Sequence, residues 1–184
     1  MSHVLLTGAS GFLGHHIARR LLADAHDVVG TFGAHAQHLP EHPRCQPVAV
    51  DLTDEASIER AFRVAWPEVV IHTAAITEIK ACEVDPARAE AGNVAATRKL
   101  ARLCAAFGAR FMLLSTDQVF DGEEGGYREH SVARPIHGYG RSKLQAEEAA
   151  RRNHPSPTIL RICLAYGTSP TTDRSASEKV VNAL

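Results

Sequence analysis

The sequence predicts an α/β protein, a doubly wound parallel sheet, on three observations. Short apolar runs of strand length recur without alternation, helix-like stretches separate them, and a glycine-rich turn links the first run to the first helix. Continuous Val, Ile and Leu runs mark strands buried on both faces, the state that helices packed on either side of a parallel sheet create. The strands fall at Val4 to Leu6, Asp27 to Thr31, Val48 to Val50, Val69 to His72, Phe111 to Leu114 and Thr158 to Ile162. Helices fall at Phe12 to Ala23, Glu55 to Val64, Pro86 to Phe107 and Tyr139 to Arg152. Leu13, Ile17, Arg20 and Leu21 give the first helix its spacing of three and four, and Asp54 or Ser57 can open the second. Strand and helix alternate throughout, which defines the class. Three segments break the alternation: Gly33 to Pro47, Asp117 to Gly138, and Thr168 onward. Each follows the carboxyl end of a strand, where open parallel sheets bind ligands.

Length and charge narrow the function. A chain of 184 residues with 45% hydrophobic and 22% charged residues has the composition of one globular domain. With 20 Lys+Arg against 21 Asp+Glu and no basic run, neither nucleic acid nor an anionic membrane surface is an expected partner, which leaves a small-molecule substrate. Cys45, Cys82, Cys104 and Cys163 stand far apart without a CxxC pair, and the first apolar run is too short for a signal-peptide core or a membrane span. A cytoplasmic location is expected.

Thr7-Gly8-Ala9-Ser10-Gly11-Phe12-Leu13-Gly14 follows the first strand and opens the first helix. Gly8 suits a tight bend, Gly11 a close approach of pyrophosphate to the backbone, and Gly14 the packing of helix on strand, while amides at the helix start face the anion. The end of the second strand reads Gly30-Thr31-Phe32-Gly33, without the acid that serves the ribose hydroxyls of NAD; His35 and His38 are conditional cations, and the reading favours NADP over NAD. Asp51 and Leu52, after the third strand, lie where an adenine ring would rest, although Asp51 equally suits a turn leading into the second helix.

Tyr139-Gly140-Arg141-Ser142-Lys143 places a tyrosine and a lysine one helical turn apart on one face. A phenol of pKa about 10 must lose roughly three units, about 4 kcal/mol, to exchange protons near neutrality. One cation about 4 Å away contributes roughly that much at an effective dielectric near 20. The fifth strand ends Leu114-Ser115-Thr116, so the Thr116 hydroxyl can join the pair at a substrate oxygen while a nicotinamide passes a hydride.

Together these motifs, with His72-Thr73-Ala74-Ala75, Gly92-Asn93 and the run Ser115 to Gly122, resemble the extended short-chain dehydrogenase/reductases, a Rossmann-fold class, and within it the dTDP-4-dehydrorhamnose reductase family. The resemblance covers nearly the whole chain. It implies a catalytic triad of Thr116, Tyr139 and Lys143, with Lys143 also holding the nicotinamide ribose and Asn93 supporting the site. It extends the cofactor contacts from Gly8, Gly11 and Gly14 to Ser10, Phe12, Leu13, Asp51, Leu52, Thr73, Ala74, Ala75, Asn93, Ser115, Tyr139 and Lys143. The implied reaction reduces a 4-keto sugar nucleotide, and two long helices imply a four-helix homodimer contact.

Ile76, Lys80 and Gln118 depart from the family pattern on the substrate side and leave the cofactor chemistry intact. Family members continue into a carboxyl-terminal substrate region. The expected organisation is therefore a dinucleotide-binding domain at 1–167 and, at 168–184, the start of a truncated substrate region. Two other readings stay open: a non-catalytic NADP-binding regulatory subunit, and an epimerase or dehydratase on the same fold. No metal is expected. His35, His38 and His42 share a loop that Pro40 and Pro43 keep from being helical, and Cys163 is expected in the core.

Overall fold

The computed structural model describes residues 1–34 and 36–167. His35 and the proposed start of a substrate region, 168–184, lie outside the described residues. Six parallel strands, β1 (His3–Thr7), β2 (Asp27–Phe32), β3 (Cys45–Ala49), β4 (Val69–His72), β5 (Arg110–Thr116) and β6 (Thr158–Ile162), form one sheet of order β3-β2-β1-β4-β5-β6. That order is the doubly wound arrangement that the alternation predicts.

Two apolar layers flank the sheet because side chains alternate along each strand. Leu5, Val70, Phe111 and Leu113 face one way, toward Ile58 and Phe62 of α2 (Glu55–Ala65) and Leu100 and Cys104 further along the chain. Val4, Leu6, Val28, Ile71 and Leu114 face the other way, toward Ala18 and Leu22 of α1 (Phe12–Ala23). Asp54 caps α2 by accepting from the Ala56 amide at 2.9 Å, and Ser57 lies inside the helix.

Three details differ from the sequence expectation. β3 begins at Cys45 and carries Pro47, which is tolerated because β3 is an edge strand and Pro lacks only a donor that an edge can spare. A short helix, α3 (Ile79–Val84), follows β4; its terminal Ile79 and Val84 are solvent-exposed, so it has little apolar periodicity to read. The predicted helix from Pro86 to Phe107 is α4 (Pro86–Ala89), a π-helical turn over Glu90–Ala95, and α5 (Ala96–Phe107). Such widened turns cluster at functional sites, and this one carries the buried Asn93. The last helix, α6 (Gly138–Asn153), packs against α5 and β5.

Gly14 sits where α1 crosses the β1 turn, and a Cβ there would lie 2.0 Å from the Gly8 carbonyl oxygen. Gly14→Ala should therefore destabilise the fold by about 1–3 kcal/mol or more through overpacking. A Cβ on Gly33 meets nothing within 4 Å, so Gly33→Ala should stay within about 0.5 kcal/mol of wild type. Urea unfolding of the two variants measures the contrast.

Candidate active site

The strand order reverses between β1 and β4, so the connections leaving these neighbours diverge to opposite faces and open a crevice at their carboxyl ends. Gly8 turns the chain out of β1 with φ +70, a left-handed conformation that favours glycine. Its amide donates to Thr31 Oγ1 at 3.3 Å, and its carbonyl accepts from the Gly11 amide at 2.9 Å. Gly11 then forms the N-cap of α1 with no side-chain cap, and the first turn contains no acidic residue. The orphan amides of that turn are left for an external anion. Gly11 is exposed, and Ser10, Phe12 and Leu13 are half-buried around it. These features fit a pyrophosphate.

The other wall of the crevice is Thr73-Ala74-Ala75, all half-buried, directly after β4. Thr73 Oγ1 donates to the Thr7 carbonyl at 2.7 Å, and the Ala74 amide donates to Thr7 Oγ1 at 3.3 Å. A Cβ on Gly8 would come within 2.8 Å of the Ala74 nitrogen, so the two turns interlock. His72 beneath them is fully buried, with Nδ1 hydrogen-bonded to Thr7 Oγ1 at 2.6 Å. Burial, helped by the charge of Lys143, drives its pKa down to about 3, so the ring is neutral.

A third wall is built by α6 against the end of β5. Tyr139 and Lys143 are both buried on its inner face. Lys143 Nζ donates to the Leu114 carbonyl at 2.6 Å, and the Thr116 hydroxyl lies near enough to the Tyr139 phenol to act on its pKa. Thr116 Oγ1 also donates to Asp117 at 3.1 Å and accepts from the Gln118 amide at 3.2 Å. Asn93 ties this wall to the second one: its Oδ1 accepts from the Ile76 amide at 2.7 Å, while Nδ2 donates to the Ile76 carbonyl and to Ser142 Oγ. Ser142 in turn donates to the Tyr139 carbonyl at 2.8 Å. His137 caps α6 by accepting from the Gly140 amide and stacks on Tyr139.

The electrostatics correct one expectation. Spacing alone suggests that Lys143 depresses the Tyr139 pKa; instead burial raises it, against the effect of the Thr116 hydroxyl and with Cys82 and Asp117 adding to the rise. The ammonium is drawn to the Leu114 carbonyl, and burial lowers its own pKa to about 8, opposed by Glu147. Ser115 likewise points its hydroxyl inward, to the Glu147 carboxylate at 2.6 Å.

Asp51 is exposed, and its carboxylate accepts from both the amide and the hydroxyl of Thr53, which holds its pKa down and makes it a turn leading to α2. Leu52 beside it is half-buried against the core. Cys163 lies just beyond β6 and is exposed, contrary to its expected burial, because the strand ends at Ile162. A groove of roughly 870 Å³ runs along β6 and the segment that follows β5, lined by Gln118, Phe120, His137, Arg161 and Cys163 among others. Glu147 and Arg161 are parts of this region that motif spacing misses; the only sequence signal for Glu147 is its position one turn beyond Lys143. Among the described residues no three His, Cys, Asp or Glu side chains converge as metal ligands, and no helix is long and apolar enough to cross a membrane.

A six-stranded doubly wound sheet with a glycine-lined switch point and a buried tyrosine–lysine pair on α6 defines a Rossmann-fold domain of the extended short-chain dehydrogenase/reductase class. Within that class the chain belongs to the family described as the RmlD substrate binding domain, whose model matches residues 1–180. A probable low-salt glycan biosynthesis reductase from Haloferax volcanii is 38% identical over 168 residues, 90% of this chain and 54% of that protein. Methionine adenosyltransferase 2 subunit beta from Xenopus laevis is 33% identical, over 94% of this chain and 49% of that protein. The chain thus spans about half the length of these curated relatives. The crystal structure of dTDP-4-dehydrorhamnose reductase from Bacillus anthracis in complex with NADP superposes with a TM-score of 0.82 at 25% identity, covering 98% of this chain and 59% of that one.

Buried His72 sets a pH dependence. Its folded pKa of about 3 lies below the ordinary value of 6.5, so between these limits the unfolded chain binds a proton that the folded chain refuses. Stability is lost as pH falls through that window, with a slope of about 1.4 kcal/mol per pH unit from this residue. Comparing urea midpoints of wild type and His72→Asn from pH 7 to pH 4 should show a shallower acid decline in the variant.

Proposed function

We propose that residues 1–167 are the dinucleotide-binding domain of a nicotinamide-dependent reductase acting on a keto group of a sugar nucleotide or a similar polar metabolite, with residues 168–184 starting its substrate-binding region. The observation that carries the proposal is the buried pair of Tyr139 and Lys143 clamped to the β5 end beside an uncapped glycine turn. A protein that only held a cofactor has no use for a buried phenol set beside Thr116.

Gly8, Ser10, Gly11, Phe12, Leu13 and Gly14 would hold the pyrophosphate, and Asp51 and Leu52 the adenosine end. Thr73, Ala74, Ala75, Asn93, Ser115 and Lys143 would hold the nicotinamide side. When bound, the nicotinamide supplies a hydride. Tyr139 keeps its proton at neutral pH because burial raises its pKa, which suits a phenol that donates to the carbonyl oxygen as reduction proceeds. Thr116 bonds the same oxygen and orients it. Lys143 remains largely an ammonium at neutral pH and stabilises the phenolate left after transfer. The groove beside His137 and Arg161 receives the rest of the substrate.

NADP is the preferred cofactor in this reading, since β2 ends without an acid and a carboxylate there would repel the 2′-phosphate. The free cysteines are in keeping with a reducing cytoplasm, and in this reading the helical stretch over 86–107 and α6 would form a homodimer contact. A second reading, a non-catalytic NADP-binding regulatory subunit, is favoured by the similarity to methionine adenosyltransferase 2 subunit beta.

Oxidation of NADPH with keto sugar nucleotides separates the two. Tyr139→Phe should lower kcat by roughly 10²–10⁴-fold, the usual contribution of a positioned acid, and leave NADPH affinity within about twofold. Cofactor binding without turnover in wild type under any keto sugar nucleotide would favour the regulatory reading.

A further inference from the structure

Glu147 takes no part in the proposed chemistry, yet it is among the most deeply buried charged side chains of the described residues, with no solvent exposure. It stands on α6 four residues beyond Lys143 and eight beyond Tyr139, on the same inner face. Its carboxylate accepts from Ser115 Oγ at 2.6 Å, from Arg161 Nε and Nη2 at 2.9 and 2.7 Å, and from Arg151 Nη2 at 3.2 Å. Two successive residues at the β5 end are therefore gripped by one helical face, Leu114 by Lys143 and Ser115 by Glu147, and the next, Thr116, stands by Tyr139 of that face.

We propose that Glu147 is a positioning residue, whose buried carboxylate locks Leu114-Ser115-Thr116 against α6 and supplies the negative charge that holds Lys143 as an ammonium beside Tyr139. This rests on the reading of Tyr139 and Lys143 as the reacting pair.

The charges around Lys143 support that assignment. From β4 comes His72, neutral and contributing no charge of its own. From β5 comes only the Leu114 carbonyl, with Asp117 just beyond it acting on Tyr139. From α6 come Tyr139, raised above its ordinary value, and Glu147, held below its ordinary value by Arg161, Ser115 and Arg151 against the cost of burial. From β6 comes Arg161, bound to Glu147 and lying 4.9 Å over the Phe120 ring. Glu147 is thus the negative charge that offsets the desolvation of Lys143.

The test reads Lys143 directly. The sequence has only four lysines, Lys80, Lys99, Lys143 and Lys179, so 13C-lysine NMR of the full chain resolves each titration, with Lys143→Arg identifying the signal. In wild type Lys143 should titrate near about 8. Glu147→Gln should lower that midpoint by about one unit, a tenfold change in proton affinity. Mere loosening of α6 would admit water and raise the midpoint toward the ordinary lysine value, so the sign separates positioning from packing. The double variant E147Q/R161M removes the buried Arg161 charge that the single variant would strand, leaves the half-exposed Arg151 to water, and carries a fall of the same sign, should the single variant fail to fold. An unchanged or raised midpoint in a folded variant overturns the proposal, as does loss of the fold in both. Because proton affinity is read without turnover, failure of the reductase reading is scored separately, by the Tyr139→Phe kinetics.

Discussion

The switch point between β1 and β4 is the constraint on which the rest of the molecule depends. Two parallel neighbours whose connections diverge leave a crevice at their carboxyl ends, and everything that borders it is shaped by that divergence. Gly8 must reverse out of β1 within van der Waals distance of Ala74, and Gly14 must let α1 cross directly over the turn. The same geometry leaves the α1 amides uncapped by side chains and pointed at the crevice. Thr7 and Thr73 then tie the two diverging turns together, so that the walls are fixed before any ligand arrives.

The second organising feature is buried charge. Lys143 and Glu147 are ionisable groups placed inside the sheet–helix layer, where each loses hydration that its partners must replace. Lys143 does so incompletely, since its folded pKa near 8 lies below the ordinary 10.5. The unfolded chain therefore holds a proton that the folded chain sheds between these values, and Lys143 costs stability below about pH 8, a cost relieved as pH rises to 10.5. A lysine held at such a cost is in keeping with the proposed role of Lys143, since apolar residues would pack the same space more stably. Asn93, in its widened helical turn, and the His137 cap add the neutral hydrogen bonds that keep the pair from drifting.

Local features were legible in the sequence because they act over a few residues. The glycine turn, the alternation of apolar runs with helices, and the Tyr139–Lys143 spacing each fit within one element and its neighbour. What spacing could not supply depends on contacts between distant segments. The π-helical turn follows from Asn93 reaching back to Ile76, seventeen residues earlier, and β3 takes in Pro47 only because it ends as an edge. The ion pair of Glu147 and Arg161 joins α6 to the following strand, and the rise in the Tyr139 pKa reflects burial that no motif records. Asp51 remained open between turn and ligand contact, and its bonds to Thr53 account for the turn.

The central claim is that the glycine-lined crevice is a nicotinamide dinucleotide site, and calorimetric titration of wild type and Gly11→Asp with NADPH and NADH tests it most directly. Gly11 is exposed at an extended N-cap position with φ −81, a backbone that aspartate adopts; its Cβ would stand 3.3 Å from the Gly8 carbonyl oxygen, so the turn gives slightly, while the carboxylate caps the α1 amides and repels pyrophosphate. The account predicts NADPH binding tighter than NADH binding in wild type, with NADPH binding lost in a variant whose urea unfolding shows that it remains folded. Equal binding by wild type and Gly11→Asp, or no binding of either cofactor by wild type, would contradict it.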